Sequence, residues 1–381
     1  MDKAESKPAA KSGAGLEGVV AAESAIGDVD GVNGVLIYQG LNIHDLAERS
    51  TFEETVYLLW HGRLPKRDEL DALRRELAAN QRLPEEVIEL VRRFPAEAEP
   101  MDALRTAVSA LGFYDPGARD LSREGALRTA TKLTAQLPVV VAAFERLRQG
   151  LEPVEPRNDL NIASNFLYML KGEEPAEREA RIFDVCLILH ADHELNASTF
   201  TSRVIAGTLA DMYGAVTGAV AALSGPLHGG ANTNVMKMLL EIGEPARADE
   251  WLREALASKK KIMGFGHRVY KTEDPRSVWL RKFSRELAEA KGEKRWIEIL
   301  DRLRELMFAE KKLYPNVDYY SGSAYYQMGI PLDLFTPIFA VSRISGWTGH
   351  ILEQYANNRL IRPRAEYIGP RGVPYVPIDG R

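Results

Sequence analysis

The 381-residue chain exceeds what one ordinary hydrophobic core supports, and 45% apolar with 27% charged residues is a globular balance that excludes a fibrous or low-complexity protein. A formal charge of −5 and a pI near 5.9 exclude a global attraction to nucleic acid or to an anionic membrane, so any anion site has to be local. The single cysteine, Cys186, excludes an intrachain disulfide and a cysteine metal cluster; no apolar run reaches membrane-spanning length, and Met1 to Gly15 lacks a signal peptide's apolar region, so the reading is a soluble cytoplasmic protein.

Residues 1–15 are small and polar and read as disordered. From Gly31 to Ile43, Val35, Ile37 and Leu41 among glycines form the one good β-hairpin candidate of the first half. Helices then take over. Ser50 with Glu53 reads as a capping box ahead of the stripe Phe52, Val56, Leu59 and Trp60. Leu70, Leu73 and Leu77 mark the next helix, and Pro84 opens another carrying Val87, Ile88, Val91 and Phe94. Further stripes run from Met101 to Leu111, from Ser122 to Gln149 with a kink expected at Pro138, from Asp159 to Leu170 and from Ala176 to Leu189. Met212 to Leu223 is rich in Ala and Gly, which suits a closely packed or subunit-contact helix. Two long charged helices cover Pro275 to Lys291 and Glu293 to Leu313.

Chemistry concentrates in a few stretches. His190 and His193, three apart, share a helix face and invite a metal, but zinc-hydrolase signatures space their ligands differently, so no metal is assigned; His190 reads as structural and His193 as an anion or carbonyl contact. His228 in Gly225-Pro226-Leu227-His228-Gly229-Gly230 precedes a helix marked by Val235, Met238, Leu239 and Ile242, and a helix N-terminus disfavours the imidazolium, which would keep His228 a neutral hydrogen-bond donor. Between Lys259 and Lys282 eight Lys or Arg face only Glu273 and Asp274, a local excess that is either a solvated helix face or a site for a multiply charged ligand. Asp318, among Val317, Tyr319 and Tyr320, is either a desolvated base or a helix N-cap. Arg343 follows an apolar helix, where burial is costly unless an anion meets it; Arg362 and Arg364 flank Pro363 in a tail whose Tyr367 to Ile378 could form a short strand.

Taken together, Pro226-Leu227-His228-Gly229-Gly230-Ala231-Asn232, Gly264-Phe265-Gly266-His267-Arg268-Val269-Tyr270 and Asn316-Val317-Asp318-Tyr319-Tyr320-Ser321-Gly322 resemble the citrate synthase family, and the resemblance extends from Gly15 to Pro363. It implies an all-α, two-domain dimer of the short type: a large domain of residues 16–224 with 326–381, and a small domain of 225–325. It implies His228, His267 and Asp318 as the catalytic trio, and His193, Arg276, Arg343 and Arg362 as holders of oxaloacetate. Ile262, Met263, Gly264, Phe265 and Gly266 would cradle coenzyme A, and Lys271 would meet its phosphates. Phe200 stands where some members carry a further histidine, so nothing catalytic is assigned there. The implied activity condenses acetyl-CoA with oxaloacetate at the entry of the tricarboxylic acid cycle, with coenzyme A thioester as co-substrate and no tightly bound cofactor; Arg362 would be donated across the homodimer. The near alternative is 2-methylcitrate synthase using propionyl-CoA, and the remote one is a non-catalytic helical scaffold.

Overall fold

The computed structural model describes residues 14–16 and 18–381. Ala14–Leu16 form a 3-10 turn, and the rest of the segment read as disordered lies outside the described residues. Strands β1 (Gly27–Asp30), β2 (Val35–Tyr38) and β3 (Leu41–Asn42) form a small antiparallel sheet in that order. The expected hairpin is therefore two successive hairpins. Its first strand was not legible because Gly27-Asp28-Val29-Asp30 has a single apolar residue, and the ladder pairs Asp28 with Ile37 and Val29 with Leu36.

Sixteen α-helices follow among the described residues: α1 (Ile43–Arg49), α2 (Phe52–His61), α3 (Arg67–Asn80), α4 (Glu85–Arg92), α5 (Pro100–Leu111), α6 (Arg123–Arg148), α7 (Ile162–Lys171), α8 (Glu177–His190), α9 (Ala197–Ala206), α10 (Met212–Leu223), α11 (Ala231–Ile242), α12 (Ala248–Ala257), α13 (Pro275–Lys291), α14 (Arg295–Lys311), α15 (Val317–Gln327) and α16 (Phe335–Ala356). The capping box lies one residue later than expected: Ser50 ends α1, and Thr51 caps α2, its hydroxyl accepting from Glu54 N–H while Glu54 Oε2 accepts from Thr51 N–H at 2.8 Å. Pro84 is the N-cap of α4 rather than its first residue. Pro138 lies buried inside α6 without ending it.

The expected C-terminal strand is absent among the described residues. From Arg359 onward the chain is almost wholly exposed and finds no ladder partner, which a strand needs, and Pro363, Pro370, Pro374 and Pro377 remove donors along it.

The apolar faces anticipated from periodicity are inside: Leu70, Leu73, Leu77, Val87, Val91, Val235, Met238, Leu239 and Ile242 are all buried. Helix α16 is the axis of the fold, packed against α2, α6, α8, α9 and α10. A second group forms where α15 packs on α11 and α13, and α14 on α12. The loops between these groups carry His193, His228 and His267, while Arg276, Asp318 and Arg343 stand on α13, α15 and α16.

Candidate active site

The loop between α12 and α13, clipped to the stretch before α15, organises the site. Gly264 and Gly266 have φ of +80° and +76°, a region costly to residues with a Cβ, and they turn the chain so that it clips onto the strand-like stretch ahead of Asp318. Gly266 N–H donates to Tyr314 O at 3.0 Å, Asn316 N–H to Gly264 O at 2.9 Å and Asn316 Nδ2 to Gly266 O at 3.0 Å. A Cβ on Gly264 would lie 2.6 Å from Tyr319 Cδ2, so this loop fits against α15 only as glycine.

Asp318 is not the N-cap of α15. Asn316 is, its Oδ1 accepting from Asp318 N–H at 3.1 Å, which leaves the Asp318 carboxylate with no hydrogen bond or ion pair among the described residues. Burial pushes its pKa from the ordinary 3.8 to about 7, Asp274 adds to the rise, and the charges of Arg276 and Arg343 oppose it. Asp318 is half-buried, so solvent still reaches the residue.

Both catalytic-candidate histidines are neutral with opposite tautomers. His228 lies three residues before α11, and its Nε2 accepts from Ser198 N–H at 3.3 Å beside Ser198 Oγ at 2.9 Å, so the proton rides on Nδ1. Burial, with Arg343's charge second, holds its pKa down at about 4. His267 Nδ1 accepts from Val269 N–H at 3.0 Å and Tyr270 N–H at 3.1 Å, so its proton rides on Nε2. Burial and then the Arg276 charge depress it to about 4 as well.

His193, His267 and Tyr270 form one aromatic cluster, with His193–His267 ring centroids 5.2 Å apart and His193 Nε2 3.3 Å from Tyr270 Oη. Burial, then Arg276, holds His193 well below the usual histidine range. Arg276, on the first turn of α13, is 2% exposed and paired through Nε and Nη2 to Asp274, which leaves Nη1 uncommitted. Arg343 is 1% exposed, gives Nε to His190 O at 2.7 Å and lies over the Phe339 ring, yet pairs with no carboxylate among the described residues; burial lowers its pKa to about 10. A charge held this deep without a partner is costly and suits an anion-binding site. His190 is fully buried and only half satisfied: Nδ1 meets Cys186 O at 2.8 Å, while Nε2 has no hydrogen-bond partner among the described residues.

Lys271 is exposed, fixed by its N–H on Gly31 O at 2.7 Å. Like Lys259, Lys261 and Arg268, it makes no ion pair among the described residues, so these four cations remain uncompensated, whereas Lys260, Arg276 and Arg281 pair with Glu241, Asp274 and Asp301. Ile262 is buried, whereas Met263 and Phe265 are half-buried on the loop. Arg362 is not brought to this cluster; it is exposed and lines a 780 Å³ cavity with Phe200, Arg203 and Glu353. Sequence reasoning missed Ser198 and Tyr270, whose roles come from partners distant in the chain, and Asp274, which it noted only as an acid among the local cations.

Comparison with known proteins identifies the family. A family model described as citrate synthase, C-terminal domain, matches residues 15–364. The chain is 54% identical to citrate synthase 2 of Bacillus subtilis over 96% of this chain and 98% of that protein, and 43% identical to 2-methylcitrate synthase 2 of Corynebacterium glutamicum over 96% and 97%. It superposes with a TM-score of 0.91, at 34% identity and over 96% of this chain and 98% of the other, on citrate synthase from the archaeon Thermoplasma acidophilum in ternary complex with carboxymethyl coenzyme A and oxaloacetate. With the three motifs in order, the helical fold and the family match over nearly all its length, this chain belongs to the citrate synthase family.

Proposed function

We propose that the chain is an acyltransferase that condenses acetyl-CoA with oxaloacetate and water, releasing citrate and coenzyme A. The observation that carries this reading is an unpaired carboxyl, Asp318, poised at about 7 in the same site as two neutral imidazoles of opposite tautomer. A thioester methyl is far less acidic than a carboxylic acid, so a carboxylate can take its proton only if the enolate oxygen is stabilised in the same step. His228 Nδ1–H supplies that hydrogen bond, and Asp318 receives the proton. The enol carbon then forms a bond to the ketone carbon of oxaloacetate, and His267 Nε2–H donates to the oxygen as it becomes an alkoxide. Water finally cleaves the citryl thioester, and the sulfur leaves as the thiol.

Arg276 Nη1 and the two terminal nitrogens of Arg343 are the donors left for the two substrate carboxylates, and His193 supports the keto acid beside His267. Ile262, Met263, Gly264, Phe265 and Gly266 take the thioester arm, and Lys271 with its uncompensated neighbours takes the coenzyme's phosphates. Residues 225–325 act as a small domain that closes over the substrates. Arg362 serves the other subunit of a cytoplasmic homodimer, a reading supported by its position on an exposed tail away from its own site.

The greater identity to a citrate synthase than to a 2-methylcitrate synthase favours the acetyl substrate. One methylene separates the two acyl groups, about 1–3 kcal/mol in a pocket, so side activity on propionyl-CoA is expected. Free-thiol release with oxaloacetate and each acyl-CoA tests both points. A kcat/KM higher for propionyl-CoA overturns the acyl preference, and no thiol from either overturns the activity.

A further inference from the structure

Helix α16 is buried almost throughout, yet one of its faces is polar. Arg343, Gly346, His350, Glu353 and Gln354 recur at spacings of three and four, which stacks them along one side. His350 is 0% exposed and its Nε2 meets Asp192 Oδ1 at 3.1 Å, with Asp192 equally buried. Arg203 of α9 donates from Nη1 to His350 Nδ1 at 3.2 Å; a guanidinium only donates, so the Nδ1 lone pair accepts and Nε2–H points at Asp192. Arg203 is in turn held by Gln354 Oε1 at 3.1 Å and by an ion pair with Glu353.

This chain of bonds ends on the segment that carries His193. Asp192 Oδ2 accepts from Glu194 N–H at 3.0 Å, and the Asp192 peptide is gripped from both sides by Tyr38 Oη, which donates to its carbonyl at 2.9 Å and accepts its N–H at 3.2 Å. Gly346 N–H donates to Ala191 O at 3.1 Å, and a Cβ on Gly346 or Gly27 would lie 2.7 or 2.6 Å from the Asp192 carboxylate, so both helix and sheet are shaped to admit that group. Asp192 also places a negative charge near Arg343 without pairing with it, which favours the guanidinium's charged form while leaving its terminal nitrogens for a ligand.

We propose that His350 is a positioning residue for the keto-acid subsite: through Asp192 it fixes the 190–194 segment, and with it His193, against the face of α16 that presents Arg343. The proposal rests on the reading of His193 and Arg343 as holders of the dicarboxylate, and it assigns the Arg203–His350–Asp192 chain to substrate binding rather than to packing alone.

The test is a split between the two Michaelis constants. His350→Phe keeps a planar ring, somewhat larger than imidazole, and removes both hydrogen bonds; it should raise KM for oxaloacetate about tenfold, as expected for losing one charge-assisted hydrogen bond, while KM for acetyl-CoA stays within about twofold. His350→Gln retains an N–H that can reach Asp192 and should recover oxaloacetate KM to within about threefold of native. An unchanged oxaloacetate KM in His350→Phe, an equal rise in both constants, or a Gln variant as impaired as the Phe variant overturns the proposal. Should His350→Phe not fold, Gln354→Met decides, since it removes the acceptor for Arg203 Nε, together with the Nε2 donor that meets Asn358 Oδ1 and Arg359 O on the far side: a selective rise in oxaloacetate KM supports the linkage and no change overturns it. Arg343→Leu separates this from the underlying reading, because oxaloacetate KM unaffected by that variant would remove the subsite itself, whatever His350 does.

Discussion

Gly264→Ala tests how the catalytic loop is fitted to α15. The new Cβ would lie 2.6 Å from Tyr319 Cδ2, 2.8 Å from Val235 Cγ2 and 3.1 Å from Tyr319 Cα, at a φ of +80°. The left-handed φ costs about 1–2 kcal/mol and overpacking a filled site about 1–3 kcal/mol, so the unfolding free energy should fall by about 2–5 kcal/mol. The clash cannot be relieved by one flexible side-chain tip, because Tyr319 is fully buried, with its hydroxyl on Leu300 O at 2.9 Å. Relief has to move the start of α15, and Asp318 is the residue before Tyr319. A misplacement of about 1 Å at a reacting group can cost about 10²-fold in rate, so kcat should fall by that order. Gly292→Ala is the control: φ is +68° with nothing within 4 Å of its Cβ, so it should lose only about 1–2 kcal/mol and no activity. Urea unfolding followed by tryptophan fluorescence, together with thiol-release kinetics, reads both quantities. A Gly264→Ala protein as stable and as active as Gly292→Ala would refute the reasoning.

The remaining predictions concern the base and the tail. With Asp318 at about 7, its ionised fraction falls from about nine-tenths at pH 8 to about one-tenth at pH 6, so kcat/KM for acetyl-CoA should drop about tenfold over that range while the histidines at about 4 stay neutral; a flat profile down to pH 5 contradicts the assignment. A carboxyl whose folded pKa is raised favours the folded state while protonated, and that advantage is lost as pH climbs from 3.8 through about 7, so a neutral Asp318→Asn chain should be more stable than the native one at pH 8 but not at pH 3.5; chemical denaturation at the two pH values checks the sign. Mixing Asp318→Ala with Arg362→Ala subunits should restore activity after exchange, because each mixed dimer then holds one site with both native residues; demonstrated exchange without recovery places Arg362 in its own subunit's site.

Much of this was legible in the sequence, for identifiable reasons. Glycine next to histidine at 228–230 and 264–267 signals close backbone approach, and the positive φ at Gly264 and Gly266 bears that out. Long amphipathic helices such as α3, α11 and α13 declare themselves by period, whereas α1 and α9 were missed because their apolar positions are few, and α12 was missed although Trp251, Leu252 and Ala255 carry its period. The aromatic neighbours of Asp318 correctly signalled desolvation, but the capping role belonged to Asn316, two residues earlier. The electrostatics of His228 also differ in origin from the expected helix-end effect: burial is the first cause and Arg343 the second. Ser198, Tyr270, Asp192 and His350 could not be tied to the site, since each acts through partners between 30 and 158 residues away or through a neighbour's ring. One signal was available: the polar recurrence from Arg343 to Gln354 inside an otherwise apolar helix, a pattern that burial makes too costly without purpose.

The central claim is that Asp318 removes the thioester methyl proton while other side chains hold oxaloacetate. The direct measurement is Asp318→Asn, assayed for thiol release from acetyl-CoA and, separately, for oxaloacetate binding by calorimetry. The account predicts condensation reduced at least about 10³-fold, the order expected for deleting a general base, with an oxaloacetate Kd within about threefold of native. Near-native turnover in that variant would contradict it.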